Sequence, residues 1–468
     1  MKTLLINPPW VRLFGFPVFT FPSGLCYIAA VLEDNGFDVS VYDMDNVKGR
    51  VKPILSSANS LDDRVYKEYL NVLDDFDHPL WKEVRAVISK QSPDIIGITA
   101  MATQYGPGQN IAKVAKEFDS DISVVMGGPH PTAMPEETLK NENIDIVVRR
   151  EGEYTFLDLV KSLESKGNLR DVLGITYKEK DKVINNPDRP LIENLDDIPL
   201  PARHLVLRKE DYPPGAFGKI FASRGCPYNC IFCAPKKTWG KKVRYRSPQK
   251  VVDEIRHVYE TYVTPMFTFN DSDFLVNKKF VSEICDLLIE EGPVINWDCS
   301  AKASEITDDL IKKMALSGCQ SISVGVESGS DETLGKAKKG VTTEQIKKSR
   351  KILKDNFMVY CAYYMVGFPW ETREDIYEML SFIGDMDFDF EKVFVVATYP
   401  GTELYEMYKD EAKDLDWRYY LIQRPEYCAN KNLSKKDFSK IIDTAEKGFK
   451  RGLTLKTKGM AFKFNSPR

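Results

Sequence analysis

The chain has 468 residues, is 43% hydrophobic, and sets 65 Lys and Arg against 69 Asp and Glu for a formal charge of −4. That length can bury two cores, and the near balance of charge leaves no global field for nucleic acid. The start, Met1-Lys2-Thr3-Leu4-Leu5-Ile6-Asn7, turns polar too soon for a signal peptide, and no apolar run reaches the ~18 residues of a membrane span, so a cytoplasmic setting with reduced thiols is expected.

Within residues 1–165, short apolar runs at 3–6, 38–42, 94–99, 123–126 and 145–148 read as buried parallel strands. Helical patterns lie between most of them, which predicts a doubly wound, Rossmann-like α/β domain. Ligands in such sheets bind beyond the carboxyl ends of the strands. The candidate positions are therefore Asn7-Pro8-Pro9, Thr99, Gly127-Gly128-Pro129-His130 and Glu151-Gly152-Glu153, where glycine lets a flat ligand approach the backbone. No Gly-x-Gly-x-x-Gly follows the first strand, so dinucleotide binding is the weaker reading. His130 reads either as a locally hydrogen-bonded residue or as a ligand contact. The connector from 48 to 80 is long, and its residues 66–73 predict a helix that could cap a bound ligand.

Residues 166–215 are expected to be a linker, with a small hairpin at 174–177 and 182–184 and a stretch, Ile198-Pro199-Leu200-Pro201, too proline-rich for a helix. From 216 to 410, strand runs at 220–222, 266–269, 295–299, 321–326, 359–366 and 393–396 alternate with helical patterns. Such βα units predict a partial (βα)6 barrel with its site at the strand carboxyl ends, as in complete barrels. The loops around that site carry Asp271, Asp273, Glu327, Gly367-Phe368-Pro369 and Tyr399-Pro400-Gly401-Thr402. Carboxylates there suit an amine or ribose hydroxyls, or else cap helices. Residues 411–468 are expected to form a short C-terminal helical region.

The loop after the first barrel strand holds Cys226-x-x-x-Cys230-x-x-Cys233. Three thiolates can ligate three irons of a four-iron cluster and leave the fourth open. Structural zinc closes with four ligands, whereas the next His and Cys are His257 and Cys285. A redox dithiol needs only two cysteines. Cys26, Cys285, Cys299, Cys319, Cys361 and Cys428 are scattered without ligand spacing. Lys236, Lys237, Lys241, Lys242, Arg244 and Arg246 read as a solvated basic face, or as a contact for an acidic electron donor or a substrate phosphate. The cationic tail from Lys447, interleaved with Leu453, Leu455, Met460, Phe462 and Phe464, admits weak contact with an anionic membrane surface or a merely docked end.

In the cysteine loop the chain resembles the radical S-adenosylmethionine superfamily. Through Pro22-Ser23-Gly24-Leu25, Gly97-Ile98-Thr99, Gly127-Gly128-Pro129-His130 and Glu151-Gly152-Glu153 it resembles the cobalamin-dependent members of that family. The resemblance implies that Cys226, Cys230 and Cys233 hold a [4Fe-4S] cluster whose open iron is chelated by S-adenosylmethionine. It also implies that Phe232, Gly367 and Pro369 lie beside adenine, that Asp271 and Asp273 stand near the methionine amine, and that Glu327 takes the fourth-strand acidic position. Ser23, Gly24, Thr99, Gly127, Gly128, His130, Gly152 and Glu153 fall in the domain that would cradle cobalamin, with no lower axial histidine implied. Lys302 stands where relatives commonly place Arg, and a lysine cannot give the bidentate clamp of an arginine.

The activity so implied is methylation of an unactivated carbon of a small-molecule, lipid or natural-product substrate. One S-adenosylmethionine would methylate cobalamin and a second would yield a 5′-deoxyadenosyl radical, with a low-potential donor such as flavodoxin or ferredoxin supplying the electron. Cyclisation, oxidation or carbon–carbon coupling without methyl transfer is the alternative, and a non-catalytic cobalamin sensor is a third. No residue is singled out as catalytic.

Overall fold

The computed structural model describes residues 1–16, 21–48, 53–57, 59–180 and 182–444, so the cationic tail from Lys447 lies outside the described residues. Five parallel strands open the chain: β1 (Lys2–Asn7), β2 (Asp38–Asp43), β3 (Ile95–Thr99), β4 (Ser123–Gly127) and β5 (Ile146–Val148). Side chains alternate between two cores. Leu5, Ile95 and Val125 face the helices Ser23–Asp34 and Glu153–Glu164, while Leu4, Ile6, Ile96 and Val124 face the opposite layer. Burial on both faces is why these strands read as continuous apolar runs.

The hairpin expected in the linker belongs instead to this sheet. β6 (Ile175–Glu179) pairs antiparallel with β5, and β7 (Lys182–Asn185) with β6, giving the order β2-β1-β3-β4-β5-β6-β7. The reason is edge protection: β5 would otherwise expose a row of unpaired backbone groups.

The chain continues through β8 (Lys219–Ile220), the short antiparallel ribbon β9 (Ser223–Arg224) and β10 (Arg244–Tyr245), and then β11 (Met266–Phe269), β12 (Asn296–Ala301), β13 (Cys319–Glu327), β14 (Val359–Val366) and β15 (Phe390–Val395). β8 and β11 to β15 form a parallel sheet in which each strand lies beside its neighbour in sequence, the expected partial barrel. β8 stops at Ile220 because the Ala222 N–H is taken by the Asp271 carboxylate at 3.2 Å. The core on the Ser23–Asp34 side of the first sheet is continuous with that of the barrel. No helix among the described residues is long and apolar enough to cross a membrane.

Beyond β15 come the short helices Glu403–Met407 and Lys409–Ala412, two 3-10 turns, and a helix at 435–444. This segment folds back on the first domain. Trp417, 1% exposed, meets Tyr420 and Tyr427 at ring-centroid distances of 5.2 and 5.1 Å. The helix expected at 66–73 forms as Asp63–Asp74. It docks the C-terminal segment through a Tyr69 hydroxyl donated to the Tyr420 carbonyl at 3.3 Å, and it does not line the ligand cavity described below. Trp417→Ala should cost about 3–5 kcal/mol in urea unfolding and admit protease near residue 417; unchanged stability and an uncut segment would show that this strap carries no weight.

Candidate active site

A cavity of about 200 Å³ opens at the carboxyl ends of β1, β3, β4 and β5. Leu5, Val125, Val148 and Phe156 give it an apolar floor, and Gly24, Thr99, Gly127, Gly128, Gly152 and Glu153 line it. A Cβ added at Gly24 would meet no protein atom within 4 Å, so the missing side chain leaves room for a ligand. At Gly128 (φ +102°) a Cβ would lie 2.9 Å from the Ala100 carbonyl oxygen, so the turn tolerates only glycine. Ser23 is buried but is not part of the lining. Nor is His130. Its ring centroid lies 4.1 Å from that of Tyr105 and 5.7 Å from that of Trp417, which places the imidazole in the contact with the C-terminal segment.

The barrel supplies the rest of the wall through Phe221, Arg224, Thr238 and Trp239. Arg224 ends β9 with its guanidinium between two carboxylates of the first domain: Nη1 donates to Glu151 Oε1 at 3.0 Å and Nη2 to Glu153 Oε1 at 2.6 Å. Arg244 on β10 donates to Glu151 Oε2 at 2.9 Å. Burial opposes charge on Glu151, yet Arg244 and Arg224 outweigh it and hold the carboxyl below its ordinary range. The basic run is thus not one solvated face. Arg244 and Arg246 are buried, Arg246 pairing with Glu254, while Lys236 and Lys237 border a second, larger cavity.

One residue beyond Arg224, Gly225 has φ +105°, and a Cβ there would fall 2.3 Å from the Lys242 carbonyl oxygen. The loop is pinned further on, where the Ile231 N–H donates to Ala337 O at 3.1 Å and Ile231 O accepts from the Leu404 N–H at 2.9 Å. Phe232 meets Phe368 edge to face at 5.8 Å. Cys226, Cys230 and Cys233 are free thiols, partly buried. Burial pushes all three up, Cys233 to about 12; neighbouring thiols add to this at Cys230 and Cys233, and Lys339 opposes it at all three. Such thiols become thiolates by coordinating a metal. Among the described residues no three His, Cys, Asp or Glu side chains converge on a single ion, whereas a cluster spreads its thiolates over separate irons.

The carboxylates differ in what they already hold. Asp271 accepts from the Ala222 N–H and the Ser223 hydroxyl, so it is engaged by the strand that leads into the loop. Asp273 caps the turn Phe274–Val276 through the Leu275 N–H at 3.1 Å. Burial pushes each to about 6. Glu327 accepts from Lys339 Nζ at 2.7 Å. Burial works against the Lys339 charge, but Glu327 and the nearby thiols outweigh it and raise its pKa. Lys302 Nζ stands 3.6 Å over the Tyr228 ring. Beside Phe232, the Gly367 and Phe368 N–H groups both donate to Glu371 Oε2, at 2.7 and 2.9 Å, and Pro369 follows in the turn.

The model of the Radical SAM superfamily matches residues 220–383, and that of the B12 binding domain matches residues 11–160. An uncharacterized methyltransferase of Pyrococcus horikoshii is 32% identical over 451 residues, 95% of this chain and 91% of its own. The chain belongs to the cobalamin-dependent radical S-adenosylmethionine enzymes. The anaerobic magnesium-protoporphyrin IX monomethyl ester cyclase of Rubrivivax gelatinosus is also 32% identical, across 73% of this chain and 63% of its own length. The radical S-adenosylmethionine methyltransferase TsrM from Kitasatospora setae, solved with cobalamin and a [4Fe-4S] cluster, has a TM-score of 0.69 at 17% identity over 88% of this chain and 76% of that one, a likeness of fold.

As a cobalamin-dependent radical S-adenosylmethionine enzyme the chain uses a [4Fe-4S] cluster, S-adenosylmethionine and cobalamin. The residues fit them: three free thiols share one loop, and an apolar slot has room left by glycine. Sequence reading missed Arg224, although it stands two residues before Cys226, and Lys339, which no motif spacing marks.

His130 generates a pH test. It is 3% exposed, its Nε2 has no hydrogen-bond partner, and burial alone lowers its pKa to about 3. The unfolded chain protonates near 6.5, so below that pH it binds the extra proton, and stability falls toward pH 3 by up to ~1.4 kcal/mol per unit. Between about pH 6.5 and 4.5, His130→Phe should lose less stability than the wild type in urea titrations. Parallel curves would remove His130 as the acid-sensitive group.

Proposed function

We propose that this enzyme methylates an unactivated carbon of a small-molecule, lipid or natural-product substrate held between its two cofactor sites. One observation carries the reading: Arg224, in the wall of the glycine-lined cavity, stands two residues from Cys226. When bound, the cluster with S-adenosylmethionine supplies a hydrogen-abstracting radical, and cobalamin supplies the methyl group. In this reading Cys226, Cys230 and Cys233 hold the cluster, and Gly24, Thr99, Gly127, Gly128 and Gly152 shape the cobalamin slot. Asp273 and Glu327 border the methionine end of S-adenosylmethionine, while Phe232, Gly367 and Pro369 border its adenine. Asp271 orients the strand that enters the loop, and Lys302 and Lys339 supply positive charge beside the thiolates. The electron would come from a cytoplasmic low-potential donor of the flavodoxin or ferredoxin kind.

The methyltransferase name of the Pyrococcus relative supports methyl transfer. The Rubrivivax cyclase supports a second reading, ring closure with the same cofactors. Stoichiometry separates them. With methyl-deuterated S-adenosylmethionine and a reductant, a methyltransferase should place CD3 on product and release S-adenosylhomocysteine and 5′-deoxyadenosine in equal amounts. An unlabelled product formed with 5′-deoxyadenosine alone would replace methyl transfer by cyclisation, oxidation or carbon–carbon coupling, which the structure of that product then separates. Cys226→Ala, Cys230→Ala and Cys233→Ala should each abolish both the charge-transfer absorbance of the cluster and 5′-deoxyadenosine formation. Near-normal iron and turnover in any one of them would overturn the ligand assignment.

A further inference from the structure

We infer that Arg224 is a positioning residue that couples the cysteine loop to the cobalamin cavity, so that filling either site tightens binding at the other. The inference rests on the two site assignments above. One guanidinium belongs to both places. It forms part of the cavity wall, and it is joined to Cys226 through Gly225 alone. Gly225 cannot flex freely and absorb motion, because its left-handed turn is packed against the Lys242 carbonyl.

On the far side, Glu151 and Glu153 flank Gly152, whose added Cβ would strike Ile28 Cδ1 at 2.9 Å across the cavity wall. Arg244 ties the second strand of the β9–β10 ribbon to the same Glu151, which also accepts from the Ile192 N–H at 2.8 Å. All four charged side chains are nearly dry, with exposures of 8% for Arg224, 3% for Glu151, 6% for Glu153 and 2% for Arg244. A shift of the ribbon away from the turn would leave buried charges without partners, a strongly unfavourable state. Ribbon and turn therefore move together. A ligand that orders the Glu-Gly-Glu turn also fixes Arg224 and the start of the cysteine loop, and a cluster that fixes the loop returns the effect. Linkage requires the two factors to be equal.

The test uses the full chain in two forms, stripped of iron by chelation and reconstituted with ferrous iron and sulfide. The Kd for hydroxocobalamin is measured by equilibrium dialysis under anaerobic conditions. Wild type should bind about 5-fold or more tightly with the cluster present, and bound cobalamin should slow the loss of its iron to a chelator. Glu153→Gln keeps the Glu151 arm and should bring the ratio near unity with iron content retained. Arg224→Lys, which loses the fork geometry, should do the same. Lys242→Ala, on the same loop but paired with the exposed Glu193, should keep the wild-type ratio. Equal wild-type Kd values with and without cluster, both sites being filled, would overturn the coupling alone. Failure of the wild type to take up cobalamin or iron at all would overturn the site assignment first, and the coupling with it.

Discussion

Two carboxylates leave the same turn of the first domain and enter a dry wall, which the chain tolerates only because two arginines of the second domain arrive to meet them. Removing a carboxylate from water costs several kcal/mol unless a well-placed cation and hydrogen bonds offset it. Glu151 and Glu153 thereby fix where Arg224 and Arg244 must stand, and those two arginines are the facing ends of the β9–β10 ribbon. The ribbon in turn sets the entry to the cysteine loop, which Asp271 secures from the barrel side through Ser223 and Ala222. Two domains with separate sheets thus present their ligand-facing loops to one another in a single register.

The exit of the loop is governed by a different force. Ile231, 1% exposed, lies in a small apolar cluster with Ala337, Phe368, Val396 and Leu404, and its backbone bonds to elements on both sides. Charge fixes one end of the loop and apolar packing the other, with Cys226 and Cys230 between them and Cys233 two residues beyond Ile231. Phe232 reaches that cluster next to Cys233, so the aromatic position and the cysteine positions are set by one packing event.

Much of this was readable before any coordinates. The run at 123–126 is apolar because it is buried on both faces, and the run at 359–366 is long enough to mark itself although only one of its faces is fully buried. The cysteine spacing and the glycines at 127, 128 and 152 are local signals, and local signals survive in a linear text. What the sequence hid was long-range. The pairing of Arg224 with Glu151 spans 73 residues and that of Tyr69 with Tyr420 spans 351, so no window of the sequence contains both partners. The hairpin at 175–185 was visible as a hairpin, but its attachment to β5 depended on an edge that only the assembled sheet possesses. For His130 the sequence left a local role and a ligand contact open, and the ring packs against Tyr105 and Trp417, partners that no nearby window contains.

Glu327 shows how the barrel places charge beside the thiols. It is a non-glycine residue at φ +63°, and the register between β13 and β14 slips between Gly325 and Glu327. A slip of this kind re-aims a side chain at a strand end, here toward Lys339. The left-handed backbone costs about 1–3 kcal/mol, which must be offset by what it secures. The return is a buried ion pair whose cation opposes the rise that burial imposes on Cys226, Cys230 and Cys233, while Glu327 itself adds to that rise at Cys230 and Cys233. Burial disfavours charge on Lys339, and Glu327 is the largest of the groups that oppose this, with Cys230 and Cys233 beside it. The strain therefore sits where a buried cation is held beside the three cysteine sulfurs, and it holds it there through an anion one side chain removed from them.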